Sequence, residues 1–183
     1  MKVVNLFAGP GVGKTTTGQL LAGMLSMTGH RVELVPEFAK FATYAKYNAA
    51  LGDQDYMFAK QHHRLAVLRA DTRLEYVIMD GPLPIALTYA DPSDTVYTSL
   101  VLKRFFAFDN INIFLERNPA YPYEQMGRSQ SHSEAQAQCD RTLALMQDNG
   151  IEYETLMVNE VTACTVFERL TGRLSPLVPR AKN

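Results

Sequence analysis

Val3-Val4-Asn5-Leu6-Phe7-Ala8-Gly9-Pro10-Gly11-Val12-Gly13-Lys14-Thr15-Thr16 is the stretch that decides the fold. The apolar run over residues 2–7 predicts a short buried strand. Leu20, Leu21, Met24 and Leu25 fall at helical spacing and predict a helix from Lys14 to about Thr28, with Gly29 as its stop. Between strand and helix, Ala8 to Thr15 match the phosphate-loop pattern G-x-x-x-x-G-K-[ST], except that Ala8 replaces the first glycine. The spacing has a physical reason. Glycines let successive backbone N–H groups turn inward around an anion. The helix that follows adds its positive N-terminal end. Lys14 is then within reach of the outer phosphates, and the Thr15 hydroxyl can ligate Mg²⁺. Gly9, Pro10, Gly11, Val12, Gly13, Lys14, Thr15 and Thr16 are therefore the candidate binding residues, with ATP and Mg²⁺ as the implied ligands. A dinucleotide fingerprint, G-x-G-x-x-G, fits Gly9 and Gly11 but fails at its third glycine, where Lys14 stands.

Outward from this loop, strand and helix patterns alternate. Val32–Val35, Glu75–Asp80, Ile111–Leu115 and Tyr153–Val158 predict four more strands. Helices are expected over 37–50 and 55–70, separated by Leu51-Gly52-Asp53, and again over 93–108, 133–148 and 160–171. This alternation predicts an α/β fold in three layers, a five-stranded parallel sheet with helices on both faces. Ligands of such sheets bind beyond the carboxyl ends of the strands. One domain over residues 1–183 is expected, with a polar lid at about 116–135 and a loose tail at about 176–183.

The charge balance narrows the partners. Lys and Arg number 18 against 19 Asp and Glu, a formal net charge of −1. A uniformly basic nucleic-acid binder is excluded; a local basic patch is not. Lys103, Arg104, Arg117, Arg128, Arg141, Arg173, Arg180 and Lys182 are the cations available for one. The two cysteines, Cys139 and Cys164, are too few for a disulfide framework and read as free thiols of a reducing compartment. With no membrane-length apolar run and no signal-peptide pattern, a cytoplasmic protein is expected. Nothing in the sequence sets an oligomeric state.

Asp80 closes the third strand, where an acid can hold Mg²⁺ directly or through water; a strand-end turn residue in Asp80-Gly81-Pro82 is the competing reading. Gly81 follows it, where motor ATPases usually carry a water-activating Glu. The N-K-x-D base-reading motif of GTPases is also missing. The lid points instead to a kinase, because Arg117 and Arg128 can neutralise charge on a transferring phosphoryl group while the lid excludes water. Glu37, just after the second strand, is either the base that takes a proton from the attacking hydroxyl or an acid stabilised at a helix N-terminus. Gln54, Tyr56, Gln61 and Arg64 fall on one predicted helix beside this pocket, as substrate readers or as a solvated polar face. Phe38, with Phe41, Tyr44 and Tyr47, can stack on a base or fill core.

Several of these segments together resemble small phage-encoded kinases of the thymidylate-kinase-like and nicotinamide-riboside-kinase-like kind, and above all the 5-hydroxymethyluracil DNA kinases. The likeness is carried by Asn5 to Thr16, by Val32-Glu33-Leu34-Val35-Pro36-Glu37-Phe38-Ala39-Lys40, and by Asp53-Gln54-Asp55-Tyr56 with Gln61 and Arg64. Ile78-Met79-Asp80-Gly81-Pro82-Leu83, Gly127-Arg128 and Glu134-Ala135 continue it, so that it spans residues 2 to about 158. The serine typical of the group after the third-strand acid is Gly81 here, a departure that alters the Asp80 turn. The resemblance implies a P-loop kinase fold and phosphoryl transfer from ATP to a hydroxyl of a nucleoside-type acceptor. In the DNA kinases that hydroxyl belongs to a modified pyrimidine within DNA. Free nucleosides, nucleotides and nicotinamide riboside are the other acceptors it implies. A nucleotide switch that acts through a protein partner is the alternative from another class.

Overall fold

A computed structural model describes residues 1–123 and 131–177. Five strands form one sheet: β1 (Lys2–Phe7), β2 (Val32–Val35), β3 (Tyr76–Met79), β4 (Asp109–Glu116) and β5 (Glu154–Met157). Their order is β2-β3-β1-β4-β5, and every neighbouring pair is parallel. Among the described residues seven α-helices connect them: α1 (Lys14–Met27), α2 (Phe38–Tyr44), α3 (Asn48–Gly52), α4 (Gln54–Leu68), α5 (Thr95–Phe105), α6 (His132–Asp148) and α7 (Thr162–Thr171). A 3₁₀ helix over Leu83–Thr88 follows β3. The expected three-layer α/β architecture is the one observed.

Strand β1 shows why the sheet needs two helical layers. Side chains alternate across a strand. Val4 and Leu6 enter one core with Leu21, Met24 and Leu25 of α1 and Val166 and Phe167 of α7. Val3 and Phe7 enter the other, with Phe58 and Leu65 of α4 and Val101 and Phe105 of α5. Asn5 is the polar exception in this central strand, and it is almost fully buried. Its amide donates to Asn110 Oδ1 and Asn112 Oδ1 on β4, both at 2.9 Å, so the group is satisfied where it sits.

The helix starts differ in a way that points to the site. Asp53, Asp94 and Ser131 cap α4, α5 and α6 by accepting from backbone N–H groups, and Ser131 with Glu134 completes a capping box. Helix α1 has no such cap: it begins after Gly13 (φ 118°) with no side-chain hydrogen bond and no acid in its first turn. Its N-terminal donors face the phosphate loop instead.

The single helix expected over 37–50 is two. Helix α2 closes at Ala45, with Lys46 N–H donating to the Thr43 carbonyl and Tyr47 N–H to that of Ala42. That closure needs a left-handed residue, and Lys46 (φ 56°) adopts it. The expected Leu51-Gly52-Asp53 break is absorbed by α3, and α4 starts immediately after Asp53. Of the expected lid, residue 116 ends β4 and residues 132–135 open α6, while residues 124–130 lie outside the described residues. The tail from 178 onward lies outside them as well. No described helix is long and apolar enough to cross a membrane. Both cysteines are free and buried.

Candidate active site

A cleft of about 550 Å³ opens beyond the carboxyl ends of the strands. One wall is the phosphate loop with Lys14, Thr15 and Thr16; across from it lie Glu37, Lys40, Gln54 and Tyr89. Lys14 Nζ donates to the carbonyls of Ala8 and Gly9, both at 3.0 Å, so the ammonium lies along the loop. Gly11 (φ 73°) and Gly13 (φ 118°) take the left-handed conformations the loop needs. Gly9 is required for a different reason. A Cβ there would meet the Ala135 carbonyl at 2.6 Å and collide with Cys139 Sγ, so the loop can rest on α6 only through glycine. The Gly9 N–H donates to Cys139 Sγ (3.2 Å) rather than into the cleft.

Asp80 stands at the end of β3 with only 2% of its surface exposed. Thr15 Oγ1 donates to its Oδ2 at 2.7 Å. Its Oδ1 is buried and has no hydrogen-bond partner among the described residues. Burial raises the Asp80 pKa above the ordinary 3.8, opposed by the Thr15 hydrogen bond and the charges of Lys14 and Lys40. An orphaned carboxylate oxygen beside a threonine hydroxyl at a phosphate loop fits Mg²⁺, which needs few protein ligands when phosphates and water supply the rest.

Glu37 occupies the N-cap position of α2, but its side chain makes no capping hydrogen bond. The first helical N–H, from Phe38, is taken instead by Gln61 Oε1 (3.1 Å). Gln61 Nε2 in turn donates to the Gly81 carbonyl (3.0 Å). Both ends of the Gln61 amide are therefore spent on backbone, and the residue ties the start of α2 to the end of β3 rather than facing the cleft. Gln61→Leu leaves two buried backbone groups without partners. It is expected to lower unfolding free energy by about 1–3 kcal/mol, read by denaturant titration.

Gly81 packs directly on Glu37: a Cβ at 81 would approach Glu37 Cγ to 3.1 Å. Glycine in place of the serine of the resembling group thus leaves room for the Glu37 side chain. Tyr89 shares the cleft, half-exposed, and desolvation of its hydroxyl there, together with the charge of Glu37, raises its pKa against the opposing charge of Arg141.

The other predicted substrate residues separate. Gln54 lines the cleft, its amide donating to the Leu51 carbonyl (3.0 Å). Phe38 is buried and lines a small apolar extension behind Glu37, of about 60 Å³. Arg64 turns away, donating to the Pro36 carbonyl (3.2 Å) and lying 4.9 Å over the Phe38 ring. Tyr56 packs edge-on against Phe38 at the surface and is not part of the cleft wall.

Arg117 is also placed differently from expectation. Its guanidinium donates to the Pro10 carbonyl (2.7 Å) and weakly to that of Gly11 (3.4 Å), and lies 5.3 Å over the Tyr123 ring. It holds the outer side of the loop instead of pointing at a transferred group. Arg128 lies outside the described residues.

Among the cleft residues that the sequence does not mark as site residues are Lys40, Tyr89 and Gln138. Gln138 left a trace, because it interrupts the buried series Ala135, Cys139, Thr142 and Met146 on α6. A buried polar residue at helical spacing needs partners. Gln138 has them in Arg141, whose Nε donates to it at 2.9 Å, and in Thr88.

The model of the AAA domain family matches residues 3–163. The chain belongs to that family. No curated protein matches the sequence. Solved structures share the fold at low identity. A deoxyadenosine kinase from M. mycoides, with dCMP and a flexible dCDP bound, is 17% identical over 94% of this chain and 97% of its own, with a TM-score of 0.52. Shikimate kinase from Aquifex aeolicus is 12% identical over 93% and 94%, with a TM-score of 0.50. The YorR protein of Bacillus subtilis, in complex with phosphorylated GDP, is 12% identical over 92% of each chain, with a TM-score of 0.51. This AAA domain therefore has the P-loop kinase fold, with the phosphate loop between β1 and α1 and Asp80 at the end of the neighbouring strand.

Proposed function

We propose that this AAA domain is a phosphotransferase that passes the γ-phosphate of ATP to a hydroxyl of a nucleoside-type acceptor, and that the acceptor is 5-hydroxymethyluracil within DNA. The observation that supports phosphotransfer is one cleft with a phosphate loop on one wall and Glu37 across from it. A nucleotide switch needs only the first wall; an acceptor needs the second. In this reading Lys14 and the loop amides hold the phosphates, and Thr15 and Asp80 hold Mg²⁺. The metal, when bound, offsets charge on the phosphate oxygens. Glu37 orients the acceptor hydroxyl and takes its proton. Arg128 neutralises charge on the transferring group, and Arg117 keeps the loop in shape.

Support for a base in DNA comes from the resemblance carried by residues 2 to about 158. An extruded base is a feasible substrate, since flipping costs only about a few kcal/mol. A free nucleoside or nucleotide is the second reading, favoured by the likeness to a deoxyadenosine kinase whose structure holds dCMP. Labelled ATP and Mg²⁺, offered with hydroxymethyluracil DNA, free nucleosides, nucleotides and nicotinamide riboside, separate them. Label on DNA supports the leading reading; label on small molecules alone selects the second. Phosphate release without any acceptor selects the switch.

Glu37→Gln is expected to slow transfer by about 10²-fold, the lower end for a general base, because the phosphoryl transition state is loose. An unchanged rate would remove Glu37 from the chemistry.

A further inference from the structure

The α2–α3 segment carries a surface that phosphotransfer to a small acceptor does not need. Phe41, Tyr44 and Tyr47 are 53%, 64% and 52% exposed, and stand close together on one segment, whereas Phe106 and Tyr121 are exposed elsewhere. They form no apolar groove. Phe41 lies beside Phe38 and Tyr47, at ring-centroid distances of 5.9 and 6.1 Å, and cations are interleaved with them. Lys40 and Lys46 are exposed on the same segment, and Lys60 reaches over the neighbouring Tyr56 ring at 5.4 Å. The acids nearby are Glu37 in the cleft wall, Asp55, and Asp53, which caps α4. The patch borders the cleft, because Lys40, Thr43 and Leu51 line it.

Lys46 gives the second, independent observation. Helices α1, α2 and α6 close with the same pair of hydrogen bonds, the N–H of the left-handed residue reaching back three positions and the next N–H reaching back five. In α1 and α6 the left-handed residue is Gly29 (φ 89°) and Gly150 (φ 61°); in α2 it is Lys46 (φ 56°). A lysine is strained there where glycine is not, and residues in such conformations cluster at ligand-binding and active sites. Here it holds an ammonium at the aromatic rim.

We propose that the α2–α3 rim is a binding platform for single-stranded polynucleotide, with Phe41, Tyr44 and Tyr47 stacking on bases and Lys40, Lys46 and Lys60 meeting the phosphates. It rests on the reading that the acceptor is a base carried by a strand. Exposed aromatics alternating with cations are the general arrangement for this ligand, since every base has a face to stack and every linkage a charge. In a chain of net charge −1 the three lysines give the phosphates of a strand cations beside the cleft, with Lys40 in its wall. The cations proposed from sequence do not supply it at Arg117, which is spent on the phosphate loop.

Fluorescence anisotropy with a labelled twelve-nucleotide oligo(dT) tests the platform, using the full chain across a salt series. Wild type is expected to bind, and Tyr44→Ala/Tyr47→Ala to weaken binding about tenfold or more, from stacking lost on two bases. Lys46→Gly is expected to weaken binding while leaving thermal stability equal or higher, and to reduce the salt slope by about 0.7 for one lost phosphate contact. Transfer of label to free nucleosides, where present, should be unchanged in both variants. Circular dichroism confirms that each is folded. Wild type that does not bind the oligonucleotide overturns the platform, as does binding that all variants retain. Variants that abolish self-association seen by light scattering, with oligonucleotide binding intact, also overturn it and make the rim a contact between copies. The two readings fail separately: binding that the variants lose, with label never reaching DNA, sustains the platform and sinks only the DNA acceptor.

Discussion

Lys14→Ala is expected to cut phosphoryl transfer by about 10³-fold or more while the chain remains folded. Among the described residues the ammonium's hydrogen bonds go to the Ala8 and Gly9 carbonyls, neutral acceptors at 3.0 Å on the loop itself, and its charge acts on the Asp80 carboxylate. Those two hydrogen bonds hold the charge at the loop, between Asp80 below and the open cleft above. A phosphate group entering the cleft meets a positive charge already oriented, which needs no reorganisation during the reaction. Alanine keeps the helix and removes that charge. Single-turnover transfer of labelled phosphate measures the loss, and circular dichroism the fold. Transfer within tenfold of wild type would falsify the assignment of residues 8–15 as the catalytic phosphate loop.

Asp80→Asn should lose a comparable factor, about 10²–10⁴-fold, since a metal supplies several kcal/mol of charge stabilisation and each 1.4 kcal/mol is about tenfold. Its effect on stability has the opposite sign. Burial raises the Asp80 pKa above 3.8, so folding favours the protonated form. The stabilising contribution of that proton is present below the unfolded value and is lost as pH rises through the higher folded value. At neutral pH the carboxylate is therefore held against its preference. Asparagine removes the charge and can still accept the Thr15 hydrogen bond. The nucleotide-free variant should melt at the wild-type temperature or above it, measured by calorimetry at pH 7. It should also gain less than wild type from added MgATP, because ligand stabilisation follows affinity. A variant that melts well below wild type would mean that Asp80 is a structural residue, as the strand-end reading holds.

The positions of both residues are legible in one dimension because they are set locally. A strand, a glycine-rich turn and a helix place Lys14 and Thr15 by covalent geometry over eight residues. Asp80 could be named because it ends an apolar run, and strand ends face the ligand side of a parallel sheet. Gln61 and Arg64 show where this stops. Their helix was read correctly, but the side chains turn to the backbone at Phe38 and Pro36, more than twenty residues away in sequence. The break between α2 and α3 was missed for a related reason: a lysine in a left-handed closure carries none of the glycine signal that marks Gly29 and Gly150.

Spacing along the chain is enough to set the alternation of strands and helices, the phosphate loop and the place of the acid after the neighbouring strand. Packing between distant segments sets the rest: Gly9 must be glycine because α6 lies against it, and Arg117 is tied to the loop it flanks. The same packing puts Glu37 in the cleft with Lys14, and leaves Phe41, Tyr44 and Tyr47 at the surface. The physical reason is common to all of these. Periodicity says which residues share a face, but whether a face meets a core, a cleft or water depends on what the rest of the chain packs against it.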